Sequence, residues 1–117
     1  MKPGLFVAAA AVLTLAGAGV ASAQDAAARG QKVFADQKCS MCHSIAGKGN
    51  TKGPLDNVGT KLSADEIREW ITDPAGMTAK SKAPRKPEMT TMAAKLKAIP
   101  KDDVDALVAY LSTLKGK

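Results

Sequence analysis

The chain has 117 residues, a formal net charge of +6 and aromatic side chains at only 3% of positions. That length holds one domain, and so few large apolar groups bury only a marginal core by themselves. The basic balance favours acidic partners, but the lysines are scattered rather than interleaved with aromatics, which argues against nucleic acid.

Residues 1–23 read as a leader: Lys2 gives a positive start, 5–20 is an apolar run, and Ala21-Ser22-Ala23 is a small-x-small cleavage pattern. Cleavage is expected before Gln24, sending the chain out of the cytoplasm. The apolar run is near the lower length limit of a spanning helix, so a retained anchor is the competing reading. Cleavage leaves one domain, 24–117, with 16 basic against 11 acidic side chains, no expected membrane span, and Phe34, Trp70 and Tyr110 as its aromatics.

A first helix is expected over 25–37, with Asp25 as N-cap and Ala26, Ala27 and Ala28 as strong formers. Gly30 and Phe34 are four apart and share a face. A helix glycine costs about 1 kcal/mol relative to alanine. Either Gly30 admits another helix at close range, with Phe34 beside the crossing, or it is a tolerated surface glycine.

Next comes Cys39-Ser40-Met41-Cys42-His43, which holds both cysteines and the single histidine. Cys-x-x-Cys-His is the attachment pattern of c-type haem, whose vinyl groups take up the two thiols. On a helical turn, positions i, i+3 and i+4 share a face, so both sulfurs and the imidazole can meet one porphyrin edge. His43 is then the proximal iron ligand. A dithiol couple of thioredoxin type would need a βαβ pattern, and the sequence has few strand-like runs. Zinc would need four ligands, and no second Cys/His pair exists. A strained disulfide beside a chance histidine is the remaining alternative. One covalent haem c with its iron is the expectation, and it would add the apolar bulk that the composition lacks.

Residues 44–61 are turn-rich, with Gly47, Gly49, Gly53, Pro54 and Gly59, and no regular element is expected before Leu62. Gly53-Pro54-Leu55 is close enough to fold back beneath His43. A ligating imidazole needs an acceptor on its second nitrogen. Pro54 offers a rigid carbonyl and Leu55 an apolar cover; an ordinary Gly-Pro turn is the alternative.

Ser63-Ala64-Asp65-Glu66 is a capping box ahead of Ile67, Trp70 and Ile71, so a short amphipathic helix should end at Asp73-Pro74. The Trp70 indole N–H either reaches a haem propionate or belongs to a core tryptophan with a local acceptor. Residues 73–89 read as a second irregular stretch, broken by Pro74, Gly76, Pro84 and Pro87 and made basic by Lys80, Lys82, Arg85 and Lys86. Long loops in compact domains usually bind something, and this one is placed to cross the second haem face and to receive an acidic partner. The last helix carries Pro100, Asp102 and Asp103 in its first turn. Its buried stripe is Val104, Leu107, Val108, Leu111 and Leu114, and Lys115-Gly116 should end it. Tyr110 flanks the stripe, toward Gly30 and Phe34.

Cys39 to His43, Gly53-Pro54-Leu55, Trp70 and Leu107-Val108-Ala109-Tyr110-Leu111, in that order, resemble a class I mono-haem cytochrome c over nearly all of 24–117. The resemblance implies an all-α cytochrome c fold of three to four helices around one covalent haem, with the terminal helices crossing at Gly30, Phe34 and Tyr110. It implies that Pro54 accepts from His43 and that a late-loop methionine is the sixth iron ligand. Periplasmic export follows, as does single-electron transfer by a monomer that docks on acidic-surfaced redox proteins. Six ligands leave no substrate position, so no enzyme activity is expected. Met41 lies on the proximal side and cannot reach across. Met89 is preferred because Pro84 and Pro87 stiffen the chain before it. Met92 is the alternative: it shares a face with Leu96 and Ile99, but its separation from Tyr110 is nearer the family norm. Met77 ranks below both. The competing functions are a haem enzyme subunit or gas sensor with a labile sixth position, and a haem-free exported dithiol protein.

Overall fold

The computed structural model describes residues 17–81 and 88–116, with side chains from 24 onward. The predicted leader (but for the backbone of its last residues) and the basic residues Lys82, Arg85 and Lys86 therefore lie outside the described residues. Six α-helices appear in order: α1 (Gly17–Asp36), α2 (Val58–Lys61), α3 (Ala64–Thr72), α4 (Pro74–Lys80), α5 (Ala93–Lys97) and α6 (Lys101–Ser112). Two 3₁₀ turns, Cys39–Met41 and Met89–Met92, and a hairpin of two-residue strands, β1 (Ser44–Ile45) and β2 (Lys48–Gly49), complete the described chain. The all-α reading holds. The helices outnumber three or four because short pieces, α2, α4 and α5, connect the longer ones.

α1 and α6 make the most extensive contact in the fold, and Gly30 is why they approach so closely. A Cβ there would collide with the Ala106 carbonyl and lie 2.6 Å from Tyr110 Cβ. The glycine is thus a helix-crossing residue, not a tolerated surface one. Phe34 and Tyr110 pack edge to face beside the crossing, ring centroids 6.2 Å apart and planes at 70°. An Arg29–Asp103 ion pair at 2.6 Å spans the same interface.

The core gathers Val33 and Phe34 from α1, Ile67 and Ile71 from α3, Ile99, and Val104, Leu107, Val108 and Leu111 from α6. The α6 stripe is the expected one, with Leu114 packed partly against the cluster. The capping box of α3 forms as read: Ser63 Oγ accepts from Glu66 N–H at 3.1 Å and Glu66 returns the bond to Ser63 N–H at 2.9 Å. The bond from Ser63 N–H, with the Ser63 hydroxyl beside it, holds the Glu66 carboxyl below its usual pKa.

Four expectations are corrected. α1 does not begin at Asp25, which lies inside it, because the alanine-rich sequence continues the helix backward. The stretch before Leu62 is not wholly irregular: it contains the hairpin and α2. Residues 73–89 are not one loop either. Pro74 stops α3 but occupies the first turn of α4, where its missing N–H costs nothing, and Asp73 caps that turn by accepting from Gly76 N–H at 3.1 Å. Finally, α6 closes at Ser112, before Lys115-Gly116. The tail beyond it instead ties down the α2 segment, with Gly59 N–H bonded to Leu114 O and Gly116 N–H to Asp56 O, both at 2.9 Å.

Candidate functional site

The site begins where α1 ends. Lys38 adopts the left-handed conformation (φ 58°, ψ 38°) and turns the chain out of the helix. Cys39–Met41 follows as one 3₁₀ turn, closed by Cys42 N–H to Cys39 O at 3.2 Å and His43 N–H to Cys39 O at 3.0 Å. That second bond spans i to i+4, the helical relation that places Cys39 and His43 on one side of the turn. Cys39 and Cys42 are both free thiols in this structure. Cys39 is half-buried against the core and Cys42 exposed. Burial pushes the Cys39 thiol up, and the nearby Lys95 charge works against that shift.

His43 is half-buried, and its Nδ1 lies 3.0 Å from the carbonyl of Gly53. A carbonyl only accepts, so Nδ1 carries the proton and Nε2 is the ring nitrogen with the lone pair. The expected acceptor, Pro54, is therefore corrected to the residue before it. A parallel bridge between Ser44 and Pro54 supplies the reason. Its two bonds, Ser44 N–H to Gly53 O at 3.0 Å and Leu55 N–H to Ser44 O at 2.9 Å, use groups of the residues flanking Pro54. Successive carbonyls of an extended segment point to opposite sides, so the Gly53 carbonyl faces His43 and that of Pro54 faces away. Pro54 contributes indirectly, by restricting Gly53 to extended geometry.

The hairpin braces the turn from the other side. Gly49, at φ 106°, passes so close that a Cβ would collide with the His43 carbonyl and come 3.2 Å from Ser40 Cβ. Asp56 Oδ1 accepts from Ala46 N–H at 2.6 Å, joining the hairpin to the α2 segment. Asn50 carries no signal in the sequence, where Gly49 reads only as a turn residue and Gly53 only as the start of the segment beneath His43. The glycine spacing marked the turns but not which carbonyl each would face.

The other expected residues are placed less closely. Leu55 packs partly on the core. Trp70 is half-buried and, among the described residues, stays outside the core cluster that Ile67 and Ile71 join. Met89 opens the second 3₁₀ turn and Met92 closes it as the N-cap of α5; both are half-buried. In a 3₁₀ turn, residues three apart eclipse one another, so the two methionines lie on one side. Thr90 Oγ1 and Thr78 Oγ1, 3.3 Å apart, link this turn to α4, which carries Met77.

The donor set suits a haem iron: two unpaired thiols at attachment spacing and an imidazole with its tautomer set. Among the described residues, no cluster of three or more His, Cys, Asp and Glu side chains could hold a metal by itself, and no helix is long and apolar enough to cross a membrane.

Comparison with known proteins agrees. The family described as Cytochrome c matches residues 27–115. Cytochrome c oxidase subunit 2 of Alkalihalophilus pseudofirmus is 29% identical over 96 residues, covering 74% of this chain. The chain spans only 25% of that relative's length. No solved structure matches.

Proposed function

Because the chain belongs to the cytochrome c family, we propose that it is an exported single-electron carrier rather than an enzyme. The observation that carries this reading is the His43 Nδ1–Gly53 carbonyl bond at 3.0 Å beside two unpaired thiols. When bound, the haem supplies one-electron Fe(III)/Fe(II) exchange. Cys39 and Cys42 would hold it covalently, and His43 and a methionine of the Met89–Met92 turn would hold its iron. Met89 is the chosen ligand and Met92 the alternative. Thioether with imidazole raises the potential relative to other axial pairs, and a filled coordination sphere leaves no substrate position. Leu55 and Trp70 line the same site in this reading.

The test is the oxidised protein purified from the periplasm. It should begin at Gln24 and show the far-red charge-transfer band of methionine sulfur bound to Fe(III). Met89→Ala should abolish the band and Met92→Ala retain it. Loss in Met92→Ala alone reassigns the ligand to Met92; no band in the unmutated protein sinks the carrier reading and favours a labile sixth position.

The docking partner is proposed as an acidic-surfaced redox protein, met by the monomer. Lys38, Lys48 and Lys52 are exposed around the attachment turn and its hairpin, and such charges steer encounter more than they add affinity. Bimolecular electron transfer to an acidic partner should slow about tenfold between low and physiological ionic strength. A rate independent of salt would remove this part of the proposal. The oxidase-subunit relative supports a second reading, in which the same domain feeds electrons to a larger oxidoreductase; a stable complex on gel filtration would favour it over a free carrier.

A further inference from the structure

Asn50, outside the attachment turn, is bonded to it through both its backbone and its side chain. Its N–H points between the carbonyls of Ser40, at 3.0 Å, and His43, at 3.1 Å. Its side-chain Nδ2 donates to the Met41 carbonyl at 3.1 Å. Three carbonyls of the Ser40 to His43 turn are thus gathered by one residue. Such carbonyls have no helical partner, because the 3₁₀ turn is too short to supply one.

Asn50 also looks the other way. Its Oδ1 accepts from Lys52 N–H at 3.0 Å and its own carbonyl from Gly53 N–H at 3.1 Å. This local turn, an arrangement that asparagine side chains favour, sets the peptide plane leading into Gly53. The Gly53 carbonyl is the acceptor for His43 Nδ1. One residue therefore holds the backbone of His43 at one end and orients the acceptor of its imidazole at the other.

We propose that Asn50 is the positioning residue of the proximal ligand, fixing the His43 ring and the strength of its Nδ1–H···O bond to Gly53. The inference rests on the haem-ligating role proposed for His43. It gives an exposed loop residue a part in setting the redox potential. A hydrogen bond from Nδ1–H raises the basicity of the ligating nitrogen, and a more basic ligand favours the oxidised iron. Loosening Asn50 should therefore weaken that bond and move the potential upward.

The test uses the reduced holoprotein with Asn50→Ala and Asn50→Asp. Asn50→Asp retains the acceptor for Lys52 N–H, loses the donor to the Met41 carbonyl and adds a carboxylate charge beside it. Solvent exchange of the His43 Nδ1 proton, followed by NMR, should accelerate about tenfold in Asn50→Ala, the effect of losing roughly one hydrogen bond. Asn50→Asp should accelerate exchange by less; the potential should rise in Asn50→Ala, whereas the added carboxylate charge in Asn50→Asp pulls the potential the other way, so that variant is read by exchange alone. Arg68→Ala, which breaks the Arg68–Asp105 pair at 2.5 Å between α3 and α6, serves as control: it should lower stability but leave exchange and potential unchanged. Exchange at the wild-type rate in both Asn50 variants would overturn the inference, as would an unshifted potential in Asn50→Ala or an equal change in Arg68→Ala. If Asn50→Ala yields no holoprotein, Asn50→Asp decides alone. Absence of covalent haem in the unmutated protein is a different failure, which overturns the parent reading and this one with it.

Discussion

Replacing Cys39 and Cys42 together by serine is expected to abolish covalent pigment and to leave a chain that has lost roughly half or more of its helical signal at 37 °C. Serine is close to cysteine in size, Cys42 is exposed and Cys39 only half-buried, so the substitutions themselves disturb little packing. The effect comes from the missing group. The buried cluster comprises Val33, Phe34, Ile67, Ile71, Ile99, Val104, Leu107, Val108 and Leu111, with one aromatic among them. A domain of this size has a stability margin of order 5–10 kcal/mol, and fixing each of its residues opposes folding by about 1–2 kcal/mol. A core so poor in large side chains is expected to close only with the haem in place. Denaturing gels stained for haem and far-UV circular dichroism make the measurement. A double-serine chain with holo-like helicity and a cooperative melt would show that the protein completes its own core.

The second large effect lies far from the iron. Gly30→Ala is expected to cost about 3 kcal/mol, at the upper end for overpacking, and to lower the melting temperature by roughly 15 °C. The new methyl meets backbone: it collides with the Ala106 carbonyl oxygen and falls 2.7 Å from the carbonyl carbon. Neither can rotate away, so relief requires the two helices to separate. Separation opens the Phe34–Tyr110 contact and the Val33–Leu107 side of the core. Haem content and the far-red band should persist below the melting transition, because no atom of the attachment turn is touched. Thermal melts of the two holoproteins read the effect. A loss under about 1 kcal/mol would mean that the crossing is looser than the structure shows.

Much of this was legible in the residues. Cys39-Ser40-Met41-Cys42-His43 needs only the spacing of thiols and imidazole along a turn, and spacing is a property of the chain. The α3 capping box and the α6 stripe were equally direct, since Ser63–Glu66 and Val104–Leu111 are local patterns with a 3.6-residue period. Pro74 shows where local reasoning fails. The same ring that ends one helix suits the first turn of another, and it was Asp73, bonded to Gly76, that selected the second outcome.

The sequence by itself determined the chemistry of the site: two thiols, one imidazole and several soft sulfurs, in a domain too small and aromatic-poor to hold much else. Tertiary structure decided what those groups face. Gly30 became a helix crossing only when α6 was set against it, because two residues about 75 positions apart carry no mark of each other in the chain. Gly53, not Pro54, accepts the His43 Nδ1–H hydrogen bond because the Ser44–Pro54 bridge sets which carbonyl of an extended pair points inward. Asn50 came to hold the attachment turn for a similar reason. Hydrogen-bond direction depends on the orientation of peptide planes, and residue identity alone does not specify that orientation.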